Sequence, residues 1–164
     1  KNSRTTMRLI LCVFLFVVLG CSSTIQPSKT IKKEEIVFNT ISKGTLFGNG
    51  IEGILEEKFT IKNEKQWQVF LNKINSVNSV SSSFSEININ FSNHIIICVF
   101  DTIRNTGGYA IEIERVFVEK KNLNIVYNKK EPGPMEMVTT IITQPYHIVK
   151  IEKRGENYKF INKN

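Results

Sequence analysis

Few side chains in this sequence have the chemistry for catalysis or metal binding. Asp101 is the single Asp among fifteen acidic residues, and there are two histidines, His94 and His147. A nucleophile–base–acid relay would have to join one histidine to Asp101 or a Glu, yet both histidines lie in or beside apolar, strand-like sequence without a nucleophile motif. Neither is accompanied by the three or four His or Cys ligands that a zinc site needs, so no metal site is expected. A carboxylate pair of Asp101 with Glu112 or Glu114 would need adjacent strands to align, and a solvated strand face is the ordinary account of those glutamates. Gly48-Asn49-Gly50 has no lysine or helix at the spacing of a phosphate loop, and reads as a plain loop. The residue inventory therefore points to a protein that is not an enzyme and carries no cofactor.

Cysteine use and the N-terminus bear on the compartment. Arg4 and Arg8 precede an apolar run from Leu9 to Leu19, too short to cross a bilayer core of about 30 Å at about 1.5 Å per residue. Residues 1–20 read as a signal peptide. The run ends in Val18-Leu19-Gly20-Cys21-Ser22-Ser23, which resembles the bacterial lipoprotein signal, so lipidation of Cys21 is expected; the alternative is an ordinary secretory signal with Cys21 as a bystander. Cys12 falls in the cleaved part, leaving Cys98 alone. An exported domain with one thiol has no internal disulfide and depends on its core. Cys98 lies inside the apolar run Ile95 to Phe100, which suits a small buried hydrophobe better than a nucleophile.

The formal charge of +7 shrinks on processing: removing Lys1, Arg4 and Arg8 from the 22 basic residues leaves 19 against 15 acidic. That surplus is too small to argue for nucleic acid, which needs a concentrated basic face. From Cys21 to residue 33 the chain is polar, holds Pro27 and shows no apolar periodicity, and it reads as a tether averaging about 20 Å as coil. The protein is thus expected at the bacterial membrane through an N-terminal lipid, in the outer membrane of the cell envelope.

Residues 34–164 have the size and composition of one domain. Asn63 offers a helix N-cap, and Trp67, Phe70, Leu71 and Ile74 recur at helical spacing, predicting a helix over 64–75 with its apolar stripe on a sheet. Residues 76–92, rich in Ser and Asn, form a long connection with Phe84, Ile87 and Phe91 as anchors. Strands are expected near 35–42, 54–62, 94–101, 108–118, 122–129, 146–153 and 157–162, with short connections favouring antiparallel neighbours. Ile111 and Ile113 alternate with Glu112 and Glu114, but Val116 and Val118 then fall in the glutamate phase, which calls for a β-bulge near Arg115. The fold class is α+β: a mainly antiparallel sheet of six to seven strands with one packed helix.

Three clusters stand apart from ordinary strand sequence. They are Arg104-Asn105-Thr106-Gly107-Gly108-Tyr109, Pro132-Gly133-Pro134 with Val138-Thr139-Thr140 after it, and Thr143-Gln144-Pro145-Tyr146-His147 leading into Ile148 to Ile151. Their order, spacing and flanking strands resemble the PrcB C-terminal domain family, named after a lipoprotein subunit of a bacterial surface protease complex. The similarity covers Ile95 to Lys153, and the Trp67 helix fits the family's upstream helix. The resemblance implies a membrane-anchored, non-catalytic lipoprotein that binds and stabilises or presents a protein partner, an exported protease complex in the family's case. The alternative is a stand-alone envelope lipoprotein that binds or inhibits a peptide or small ligand. The partner-binding candidates are Arg104, Thr106, Gly107, Gly108, Tyr109, Pro132, Gly133 and Pro134; a flat patch around Arg104, Tyr109 and Pro132 to Pro134 would favour the first account, and a deep apolar pocket with convergent polar groups the second. Turn chemistry alone also accounts for each Gly and Pro among them. Tyr109 is expected either packed inward with its hydroxyl bonded or projecting as an anchor.

Overall fold

The computed structural model describes residues 33–154 and 157–164, so the signal segment, Cys21 and the tether through residue 32 lie outside the described residues. Eight strands are described: β1 (Glu34–Glu35), β2 (Phe38–Leu46), β3 (Lys58–Ile61), β4 (His94–Phe100), β5 (Ala110–Glu119), β6 (Asn122–Lys130), β7 (Gln144–Glu152) and β8 (Asn157–Asn162). They form two four-stranded sheets, ordered β1-β5-β6-β8 and β2-β7-β4-β3. The one α-helix among the described residues, α1 (Glu64–Ile74), packs on the second sheet and makes the architecture α+β.

The continuous apolar run of β4 follows from this layering. Ile95, Ile97 and Val99 face the core shared with the first sheet, while Ile96, Cys98 and Phe100 face the core beneath α1. A strand covered on both faces shows no polar alternation. Each such side chain contributes about 1.5–3 kcal/mol by leaving water. Cys98 is fully buried, and burial pushes its thiol well above the ordinary range, which suits it to packing and not to nucleophilic attack.

Helix α1 begins where the Asn63 side chain accepts the Gln66 N–H at 2.9 Å, and Trp67, Phe70, Leu71 and Ile74 are all buried. The Trp67 indole N–H donates to the Ile87 carbonyl at 2.8 Å, fastening the long connection to the core. Within that connection Ile89 takes the buried place, with Phe84 and Phe91 packed beside it. The Ile87 side chain, expected as an anchor, is exposed and contributes its backbone.

Strands β5 and β6 form a hairpin closed at Lys120-Lys121, with Lys120 at φ 60°. Its register shifts between Ile113 and Arg115, so Glu114 is the extra residue of the bulge, and Val116 joins Ile111 and Ile113 in the core. Three features depart from the sequence expectation. The strand expected over 35–42 divides: Glu34 and Glu35 pair with Val118 and Phe117 on β5, the chain crosses at Ile36 and Val37, and Phe38 opens the pairing with Ile151 of the other sheet. The strand expected over 54–62 is confined to Lys58–Ile61, because Asn49, Gly50 and Gly53 carry positive φ and hold residues 47–57 as a loop. Strand β8 runs parallel to β6, since the chain changes sheets after β7 and returns beside β6 in the same direction.

Candidate protein-interaction site

The strand register sends three loops to one end of the domain. Leu46 pairs with Gln144, Phe100 with Tyr146 and Ala110 with Lys130, so loops 47–57, 101–109 and 131–143 leave the sheets together. The Lys120-Lys121 turn lies at the other end of the β5–β6 hairpin. All three sequence motifs thus meet. Arg104 and Thr143 form a two-way backbone bridge, at 2.7 Å from the Arg104 N–H and 2.9 Å from the Thr143 N–H. The Thr143 hydroxyl donates to the Thr106 carbonyl at 2.7 Å, and the Gly107 N–H donates to the Thr139 carbonyl at 2.9 Å.

The paired glycines belong to this loop-on-loop packing. A Cβ at Gly107 would lie 2.6 Å from the Thr139 hydroxyl. At Gly108, with φ +86°, it would lie 2.7 Å from Val138 and 2.8 Å from Pro132. Only glycine allows both the close approach and the left-handed backbone here. Thr106, Gly107 and Gly108 therefore take part in the packing of loop 101–109 against loop 131–143. Gly133 and Pro134 are exposed, in a turn where the Gly133 N–H donates to the Glu136 carboxylate at 2.9 Å. Tyr109 lies just outside β5, half-buried, with the Arg104 guanidinium 4.3 Å from its ring centre. The ring is thus a platform for the Arg104 guanidinium.

Beneath the loops sits a charge cluster whose centre is Asp101, 1% exposed. Its Oδ2 accepts from Arg104 Nε at 3.0 Å and pairs with Nη2 at 2.9 Å, while Oδ1 pairs with Lys129 Nζ at 2.7 Å. Burial alone would raise the Asp101 carboxyl, but hydrogen bonds from Lys129, Arg104 and the Thr102 backbone outweigh it and hold the group below the usual carboxylate range. Lys129 also pairs with Glu56 of the first loop. Gln144, equally buried, donates to the carbonyls of Ile54 at 2.7 Å and Asp101 at 3.0 Å. One side chain thereby ties all three loops together. The carboxylate pairing considered for Asp101 with Glu112 or Glu114 does not form: Glu112 pairs with Lys43 at 2.6 Å, and Glu114 with Lys163 at 2.8 Å. His94, at the start of β4, and buried Cys98 lie away from this end.

Over this charged base the loops project apolar side chains. Of twelve large hydrophobic residues exposed among the described residues, eight lie in these loops: Phe47, Ile51, Leu55, Ile103, Met135, Met137, Ile141 and Ile142. Met135 and Met137 are almost completely exposed, at 97% and 99%. In the first loop Phe47, Ile51 and Leu55 point outward, while Glu52 and Ile54 are buried. Sequence reasoning missed these residues and the role of Asp101. The signal for them is apolar residues inside Gly- and Pro-rich segments with no strand or helix period to bury them.

No curated protein and no solved structure matches the chain. A family match does exist, and it runs from β4 through β7, taking in the three converging motifs. Residues 95–152 match the family model described as PrcB C-terminal, the same family that the motifs resemble.

Proposed function

We propose that the protein is a non-catalytic, lipid-anchored subunit of the bacterial cell envelope that presents its three-loop end to a protein partner, with an exported protease as the partner class. The observation that carries this reading is the gathering of eight exposed apolar side chains on loops braced by the Asp101 cluster. An apolar patch of this kind rimmed by polar groups is the anatomy of a protein-binding surface, and methionines adapt to a partner's shape. The first loop supports the same reading, because a partner would cover its exposed Phe47, Ile51 and Leu55. The PrcB C-terminal match supports a protein-interaction role on a non-catalytic, partner-type domain.

The test is recovery of the tagged protein from its native envelope, comparing variants by quantitative mass spectrometry. Wild type and a Lys120→Glu, Lys121→Glu variant are expected to retain the same partner, whereas Met135→Glu with Met137→Glu loses it at unchanged melting temperature. Loss of the partner with the lysine variant and retention with the methionine variant would move the binding surface to the opposite end.

A further inference from the structure

The open edge of the second sheet borders a groove that begins at Glu57, the last residue of the first loop. Strand β3 pairs with β4 on one side and ends the sheet on the other. The Phe100 N–H donates to the Glu57 carbonyl at 2.9 Å. Hydrogen-bonded pairs alternate in an antiparallel ladder, so Phe59 and Ile61 bond to β4, while Lys58 and Thr60 turn their N–H and C=O groups outward. The edge closes at Lys62, whose N–H donates to the Gln66 side chain at 2.8 Å. Alongside runs a groove of about 400 Å³, with Phe59 and Ile61 on its strand wall and Val69 and Phe70 on its helix wall. Val69 is 62% exposed there.

The rim supplies the electrostatics. Lys65 and Lys73 of α1 line the groove, and neither has an ion pair within 4.0 Å among the described residues. They are two helical turns apart, about 12 Å along the axis. Residues i and i+4 of a strand are about 13 Å apart and share a face. Glu57 also lines the groove, on the face of β3 that carries Phe59 and Ile61, and offsets part of the lysine charge.

We propose that β3 and α1 form a docking groove for an extended acidic segment of a protein partner, which adds to the second sheet as a further strand through Lys58 and Thr60. The side chains facing α1 are acid, apolar and acid at alternate positions: the acids meet Lys65 and Lys73, and the apolar residue enters between Phe59 and Val69. A second copy is the poorer occupant. Antiparallel pairing of two β3 edges about a two-fold axis sets the lysine-bearing helix walls side by side, like charge against like charge.

The probe is a fluorescein-labelled peptide, Ser-Thr-Glu-Thr-Val-Thr-Glu-Thr-Ser, titrated with the full chain and read by anisotropy. Saturable binding is expected, with a peptide carrying Lys for both Glu binding at least about tenfold more weakly. Lys65→Glu and Thr60→Pro are each expected to weaken binding about fivefold, and Lys120→Glu to leave it unchanged. Glu is favourable in the first turn of a helix, and the Thr60 N–H is not bonded to β4, so both groove variants should keep their melting temperature. Several outcomes overturn the proposal: no saturation at millimolar protein, equal affinity for the acidic and basic peptides, or full affinity in both folded groove variants. Sedimentation showing a wild-type dimer that Thr60→Pro dissociates would give the edge to a second copy, and overturns it as well.

Discussion

The backbone N–H of Ile113 donates to His147 Nδ1 at 2.9 Å, a bond that passes from one sheet to the other beside the Glu114 bulge. Because Nδ1 accepts, the proton of the neutral ring sits on Nε2, which lies 3.0 Å from the Thr40 hydroxyl. A protonated imidazole has no acceptor left for Ile113. Burial, reinforced by the Lys43 charge and opposed by Glu112, lowers the His147 pKa from 6.5 to about 4.

This arrangement sets a pH dependence. In the unfolded chain the ring takes up a proton near pH 6.5, and in the folded protein near pH 4, so the unfolded state binds more protons between the two. Stability is full above pH 6.5 and falls as the pH drops toward 4, by up to about 3 kcal/mol. Urea midpoints at pH 7.5, 6.0, 5.0 and 4.5 should fall steadily for wild type. A His147→Gln variant should show a flatter profile across that interval, and an unchanged slope would remove His147 as the cause.

The Asp101 cluster is expected to brace the three-loop end. Asp101→Asn leaves two partly exposed cations facing a neutral amide, at an expected cost of about 3 kcal/mol. Arg104→Ala should cost less, because Lys129 still holds the other oxygen. Its effect on partner recovery therefore mixes surface and support, which is why the methionines are the better probes. The depressed Asp101 carboxyl adds stability that is present above pH about 4 and lost below it, a window separate from that of His147. Urea denaturation of the two variants at pH 7 checks the order.

Gly108→Ala should destabilise the domain by about 1–3 kcal/mol, through a left-handed backbone angle and overlap with Val138 and Pro132. By contrast, Gly133→Ala should shift the melting temperature little, since a Cβ there meets nothing nearer than 3.9 Å. Equal shifts for the two in a thermal melt would contradict the packing role given to Gly108.

Cys21→Ser should release the protein from the membrane or leave it unprocessed. A bacterial lipoprotein carries more than one acyl chain, and anchoring scales at about 0.8 kcal/mol per buried methylene. Partition of wild type and variant between Triton X-114 and water is the measurement. Should the variant stay in the detergent phase after normal cleavage, an anchor other than lipid on Cys21 is at work.

What was legible in the sequence was what one segment decides by itself. The Asn63 cap and the spacing of Trp67, Phe70, Leu71 and Ile74 specify α1, because capping and a helical stripe need no distant partner. The phase slip after Glu114 announces the bulge, and the order of the Gly, Pro and Thr clusters carries the family resemblance. Tertiary structure alone decided where the edges went. Residues 35–42 read as one strand, yet they serve two sheets, because both β5 and β7 offer open edges and the chain crosses between them at Ile36 and Val37. The parallel run of β8 beside β6 has no local signature either. Nor does the union of Ile54, Asp101 and Gln144, far apart in the chain, at one end of the domain. Strand periodicity states which side of a residue is buried, but not by what. The pairing of β2 with β7, which brings Leu46 to Gln144, is what turns three separate loops into one surface.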